Sequence, residues 1–316
     1  MHKWLIFFTV AALLVCAAFI ATRFEGNEYF FFAAYVVLQF VVLATGWNVM
    51  GGYAGYVNFG AGAFFATGAY TAAALFKAFE LSLPLQILAG MTAAGVLGFA
   101  VGVLTLRLRG VFFSIATVAV AVIIETMVLN WNYAGGARGM AVLSPDAPQG
   151  FATYMRWLFM VMCVLAVLAV AAARYIETSG IGRGLRALRD DEIAAEAAGV
   201  PTLRLKLFAS TVSGALMGMA GAPYAFYLGF IEPTSVFSLN YAVSALAMPV
   251  IGGTASWAGP VLGALLLASA QQVVSVTVSS ELNVLIVGVL LIVFVVAAPH
   301  GILGLLRSLQ KREPGS

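Results

Sequence analysis

"GRGLRALRDDEIAAEAAGV", Gly182 to Val200, places three arginines, two aspartates and two glutamates within nineteen residues. The surrounding chain is 62% hydrophobic and only 9% charged. Gly199, with Pro201 two positions on, forms a stop signal, and Asp190, Asp191 and Glu192 sit where their charge complements the positive end of a helix dipole. The spacing therefore predicts a surface helix of about two turns, preceded by a basic segment carrying Arg183, Arg186 and Arg189. On that helix Glu192 and Glu196 form one row and Ile193 and Ala197 another, so that one row faces the protein and the other a partner. Two glutamates at this spacing repel by a few tenths of a kcal/mol and would gain from an external cation.

Outside this stretch the chain is strongly apolar, with a mean hydropathy of +1.01 over 316 residues. One globular core could not hide that much apolar surface, so the sequence reads as an integral membrane protein. Apolar runs of about twenty residues favour helices over the alternating ten-residue segments of a barrel. Seven such runs lie near 4–22, 29–50, 83–106, 111–130, 155–173, 207–230 and 282–305. Three Gly/Ala-rich segments, 55–76, 240–255 and 257–277, are broken by Gly252, Gly253, Gly259 and Pro260 and read as discontinuous helices.

The expected fold is thus an all-α polytopic bundle of about ten transmembrane segments, forming a single domain over 1–316. The run from Trp4 to Thr22 lacks a small-residue cleavage site and reads as a retained first span rather than a signal peptide. With Lys3 inside, twelve basic residues fall on the cytoplasmic side, whereas Arg23, Lys77, Arg138 and Arg156 remain outside. This bias places both termini and a loop of about 174–206 in the cytoplasm, with the longest external loop at about 131–154.

Several classes of chemistry find no residues. His2 and His300 are the only histidines, and neither has a ligand at metal spacing; Cys16 and Cys163 both fall in apolar runs. The four lysines, Lys3, Lys77, Lys206 and Lys311, never follow glycine, so no phosphate-cradling G-x-x-x-x-G-K-[ST] exists. No metal, no catalytic residue and no nucleic-acid partner is expected. Glu125, inside "VFFSIATVAVAVIIETMVLNW", is an embedded carboxylate that serves either as a structural hydrogen-bond partner or as a group lining a solute path. Asn48 and Asn58 flank the Gly-rich segment and carry the same two readings. A weak internal echo pairs "GGYAGYVNFGAGA" from Gly51 with "GGTASWAGPVLGA" from Gly252.

The Gly182–Val200 stretch resembles the cytoplasmic coupling loop of ABC importer permeases, in particular the M-type permease subunit of branched-chain amino acid transporters. The family pattern G-R-x-L-x-A-I-R-D-[DN]-E-x-A-A-x-[AS]-x-G is met by Gly182, Arg183, Leu185, Ala187, Arg189, Asp190, Asp191, Glu192, Ala194, Ala195, Ala197 and Gly199, with Leu188 for the isoleucine. "GYAGYVNFGAGAFFATGAYTAAAL" from Gly52 and "GGTASWAGPVLGALL" from Gly252 resemble the family's early and late Gly-rich segments, so the likeness spans about 46–306. Asn58-Phe59-Gly60-Ala61 replaces the family's frequent S-L-G-H, Ala255 a usual glycine, and Ala134 a frequent threonine.

The resemblance implies a permease subunit of an ATP-driven importer in the bacterial inner membrane, working by alternating access. It also implies an H-type permease partner, two ATPase subunits that bind ATP in place of any cofactor here, and an extracytoplasmic binding protein. The implied cargo is a branched-chain or other amino acid, with urea, amides and carboxylic acids also within the wider family's range. The other class considered is an ion-gradient-driven transporter or channel, for which Glu125 is the one well-embedded charge.

Overall fold

The computed structural model describes residues 2–23, 27–105, 108, 110–143, 145–277, 285, 288–289, 291–293 and 301–310. The expected last span, 282–305, the C-terminus, and the basic residues Arg107 and Arg109 lie wholly or largely outside them.

Long helices dominate because the apolar runs leave backbone groups no partner but their own chain. They are α1 (His2–Ala21), α2 (Glu28–Asn48), α3 (Ala61–Phe79), α4 (Leu83–Thr105), α5 (Val111–Leu129), α6 (Tyr154–Thr178), α7 (Gly180–Asp190), α8 (Glu192–Ala197), α9 (Thr202–Leu228), α10 (Pro233–Val236), α11 (Leu239–Gly252), α12 (Ala258–Thr277) and α13 (Gly301–Gln310). A π-helical turn, Val49–Tyr53, continues α2. Two two-residue strands, β1 (Met140–Ala141) and β2 (Phe230–Ile231), pair antiparallel with Met140 opposite Ile231.

Among the described residues, eight segments are long and apolar enough to cross a membrane: α1, α2 with its π turn, α4, α5, α6, α9, α10 with α11, and α12. The helix α3, nineteen residues and about 28 Å long, runs beside α4 and α9. The protein is therefore an all-α polytopic membrane bundle, as the sequence led us to expect.

The core is organised about α9, which packs against α4 and α3. Small residues every fourth position on α4, Gly90, Ala94, Gly98 and Gly102, face Ser210, Gly214 and Gly218 of α9. The backbones meet so closely that a Cβ added at Gly98 would lie 2.4 Å from the Ser210 carbonyl oxygen, and one at Gly218 would lie 2.2 Å from Ala94 Cβ. Such seams replace the hydrophobic driving force that lipid removes. The Ser210 hydroxyl crosses the seam and donates to the Gly98 carbonyl at 2.6 Å. In contrast, only 17% of the α5 window and 6% of the α1 window are enclosed by the chain.

The break expected near Gly252 and Gly253 is present at 253–257 between α11 and α12, although Gly259 and Pro260 already belong to α12; a second, unexpected break lies at 54–60 between the π turn and α3. The segment expected at 55–76 starts as a helix only at Ala61. Gly55 adopts φ +78°, and the Asn58 side chain accepts the Gly60 N–H at 2.7 Å, so the preceding residues follow a non-helical path.

On the face opposite α7 and α8, Arg156 ties three helix ends together. Its Nε and Nη2 donate to Glu28 Oε1 at 2.9 and 2.8 Å, and its Nη1 donates to the Thr22 carbonyl at 3.1 Å. The Thr153 hydroxyl donates to the other Glu28 oxygen at 3.1 Å, and the guanidinium lies over the Phe31 ring. Removing these charge-assisted bonds by Arg156→Ala is expected to cost about 2 kcal/mol. An unchanged unfolding temperature in detergent would remove this role.

Candidate functional site

The charged stretch folds as two helices, not the single one its spacing suggested. The basic segment is itself α7, capped by Ser179, whose Oγ accepts the Gly182 N–H at 3.4 Å. Leu185 and Leu188 bury its apolar side. Asp190 ends α7, and Asp191 caps α8 by accepting the N–H groups of Ile193 and Ala194 at 2.9 and 3.0 Å. The loop is also shorter than 174–206. The helix α6 continues to Thr178 and α9 begins at Thr202, because helical hydrogen bonding extends past the apolar run into its polar ends.

Gly199 closes α8 as expected. It sits at φ +82°, its N–H bonds to the Glu196 carbonyl at 2.9 Å, and the Val200 N–H bonds to the Ala195 carbonyl at 3.0 Å. That pair of bonds is the Schellman arrangement, which needs a left-handed residue where side chains are strained.

The two rows on α8 do not separate cleanly: Glu192 turns inward, whereas Glu196, Ile193 and Ala197 are exposed. Glu192 is held by Lys206 Nζ of α9 and by the Tyr56 hydroxyl. The side chains of Lys206 and Glu192 are only 6% and 13% exposed. Glu196 accepts the Thr202 hydroxyl at 2.7 Å. The cation that the glutamates were expected to seek outside is thus supplied within the chain. Ile193, 66% exposed, lies on the outward side with Arg183, Asp190 and Ala197.

Arg189 reaches the other way. Its Nη1 donates to the Gly52 carbonyl at 3.1 Å, and its side chain passes so close to Gly55 that a Cβ there would lie 2.6 Å from Arg189 Cγ. Arg186 donates to the Glu177 carbonyl at 3.4 Å. Glu177 Oε2 in turn accepts the Trp257 N–H at 2.6 Å and the Tyr53 hydroxyl at 3.5 Å. The end of α6 therefore touches the π turn and the break at 253–257 at once. A Cβ at Gly52 would lie 2.8 Å from the Thr254 carbonyl oxygen, so the two echoing Gly-rich segments meet in space.

The path candidates do not converge. Asn58 is buried and its side chain closes the turn into α3, which is the structural reading. Asn48 is 1% exposed and packed against Gly52; its amide finds no hydrogen-bond partner among the described residues. Glu125 is half-buried on α5 and makes no ion pair among the described residues. None of the three lines the open apolar groove of about 870 Å³ between α1, α2, α6 and α12, whose walls include Phe7, Leu14, Phe30, Cys163 and Trp257. Among the described residues no group of three His, Cys, Asp or Glu side chains could hold a metal.

Lys206, Tyr56, Glu177 and Tyr53 complete the site and were not anticipated. Their partners lie 14 to 136 residues away. The sequence offered one signal, a lysine immediately ahead of the apolar run near 207–230 that becomes most of α9.

Comparison with known proteins agrees with this architecture. Residues 29–295 match the family described as "Branched-chain amino acid transport system / permease component". The chain is 30% identical to the high-affinity branched-chain amino acid transport system permease protein LivM of Escherichia coli K12, over 97% of this chain and 77% of that protein. It is 26% identical to the corresponding LivH protein of Salmonella typhimurium, over 84% of this chain and 91% of that one. Likeness to the ribose import permease protein RbsC of Haemophilus influenzae is confined to 30% of this chain, at 29% identity. No solved structure matches. With the family pattern carried over most of its length, from the second helix to beyond the second helix break, this chain belongs to the branched-chain amino acid transport system permease component family.

Proposed function

We propose that α7 and α8 form the cytoplasmic coupling segment through which separate ATPase subunits drive this permease. The observation that carries the reading is the two-sidedness of the segment. Ile193, Arg183 and Ala197 point outward, while Arg189 is bonded to the π turn at Gly52 and Glu192 to Tyr56 in the break that follows it. A motor docked on the outer side would act on the spans through the inner side. Gly182, Arg183, Arg186, Arg189, Asp190, Asp191, Glu192, Glu196 and Gly199 are the residues of this segment, and ATP hydrolysis belongs to the partners.

The protein lies in the inner membrane, with both termini on the cytoplasmic side that α7 and α8 share with Arg174, Arg204 and Lys206. Its partners are an H-type permease subunit, two ATPases and an extracytoplasmic binding protein. The relatives named for branched-chain amino acid transport support a branched-chain or other small amino acid as cargo, passed by alternating access. Such coupling requires that the ATPase state favour one bundle conformation by a differential free energy.

The test is uptake by vesicles containing this chain with its cognate permease, ATPases and binding protein, screening leucine, isoleucine, valine, urea and short amides. The expected result is accumulation of an amino acid that needs both internal ATP and the binding protein. Accumulation that persists without ATP and collapses when the ion gradient is dissipated would overturn the reading in favour of a gradient-driven transporter.

A further inference from the structure

We infer that the non-helical stretch 54–60 is the element that passes movement of α8 to α5, and that Glu192, Lys206 and Tyr56 are its positioning residues. The inference rests on the coupling reading above.

The geometry begins at α8. This helix has six residues, of which Ala195 alone is buried, so its side-chain attachment to the bundle runs mainly through Glu192 and Glu196. The Glu192 carboxylate accepts from the Tyr56 hydroxyl and pairs with Lys206. Lys206 Nζ also lies 4.8 Å from the centre of the Tyr56 ring. One tyrosine is thus gripped at its hydroxyl by α8 and at its face by the cation that neutralises α8.

The same stretch is fastened to α5 at its other side. The Ser114 hydroxyl donates to the Val57 carbonyl at 2.8 Å, and the Phe59 N–H donates to the Thr117 hydroxyl oxygen at 3.1 Å. Phe113 meets the Tyr56 ring edge-on with centroids 5.1 Å apart. Ser114, Thr117 and Phe113 lie within the first two turns of α5. A continuous path of direct bonds therefore runs from Glu192 through Tyr56, Val57 and Phe59 to the near end of α5.

Two properties suit this stretch to transmit rather than merely hold. Its backbone has no helical ladder to break, so a change of φ and ψ is cheap there, as at the hinges of domain motions. Its target α5 is among the least enclosed of the long helices, whereas α9 and α4 interlock through close backbone contacts. A displacement of α8 that pulls Tyr56 thus finds less resistance in tilting α5 than in separating α4 from α9.

Tyr56→Phe removes one hydroxyl and leaves both ring contacts. In the reconstituted complete importer, this variant is expected to keep an ATPase rate within about twofold of the parent while solute moved per ATP falls about tenfold, equivalent to about 1.4 kcal/mol of coupling. Glu192→Lys and Lys206→Glu are each expected to uncouple, and the double exchange to recover uptake per ATP. An unchanged uptake-to-ATP ratio in Tyr56→Phe overturns the inference, as does a parallel fall of ATPase and uptake, which would make Tyr56 a residue of folding or docking. Failure of the unaltered complex to accumulate solute with ATP would instead overturn the coupling reading itself.

Discussion

Gly218→Val is expected to yield almost no folded protein. The residue sits where α9 crosses α4 and α3. A Cβ there meets Ala94 Cβ at 2.2 Å and the Gly90 carbonyl oxygen at 2.7 Å. From the other side, a Cβ on Gly68 would lie 2.0 Å from the Gly218 carbonyl oxygen, so the glycine is enclosed between two helices. Overpacking a core costs about 1–3 kcal/mol when side chains can shift, and here the obstructing atoms are largely backbone. The helices must separate, and the Ser210–Gly98 bond on the same seam is strained with them. Against a total stability of about 5–15 kcal/mol, the loss is decisive. The measurement is the yield of monodisperse protein in detergent and its unfolding temperature, with Gly288→Ala as control, since a Cβ at Gly288 meets nothing within 4 Å among the described residues. Equal recovery of the two variants would show that the α4–α9 seam is looser than described.

Lys206→Met is expected to release α8 from the bundle. The substitution keeps an unbranched chain of similar length but takes the Lys206 ammonium away from the Glu192 carboxylate, whose side chain is 13% exposed. Removing one member of a buried pair costs about 3–5 kcal/mol when the remaining charge cannot escape. Here it can, because α8 is short and lies at the protein surface, so undocking of α8 limits the cost. The expected signature is local: amides of 192–200 and 54–60 lose most of their hydrogen-exchange protection, while those of α4 and α9 keep theirs. Adding Glu192→Gln should restore much of the protection, since the charge that drives undocking is then gone. Unchanged exchange across 192–200 in Lys206→Met would refute the pairing as the anchor of α8.

These two expectations differ in how far the sequence foretold them. Small residues recur throughout the chain, and in lipid such abundance suits close helix packing. The partners in that packing, Gly68 and Gly90 with Gly218, are set by helix rotation and crossing, which composition does not carry. The charged segment shows the same division. Asp191, Gly199 and Pro201 were legible as punctuation because capping and left-handed turns act within four residues. The identity of α7 as a helix was missed, although Leu185 and Leu188 lie three apart, because arginine-rich sequence between glycines reads equally well as a solvated loop.

The candidate path was the least legible part. Asn58, Asn48 and Glu125 were selected as polar residues in apolar surroundings, a criterion that turn-closing amides satisfy as readily as groups lining a solute route. The structure puts Asn58 to work on the Gly60 N–H and keeps Asn48 enclosed.

The sequence by itself determined that this chain is helical, spans a membrane many times, breaks its helices near Gly252 and carries the family's charged segment. These properties follow from hydropathy, glycine and proline placement and capping, all of which are local. Only the tertiary structure decided that Glu192 of α8 turns inward to Lys206 and Tyr56, and that the two echoing Gly-rich segments meet beside Glu177. Those contacts join residues as distant as Tyr56 and Glu192, 136 positions apart, and Gly52 and Thr254, further apart still, and no local periodicity specifies them. They depend on how each helix is rotated when backbones approach through glycine, and that rotation is fixed by packing across the whole bundle.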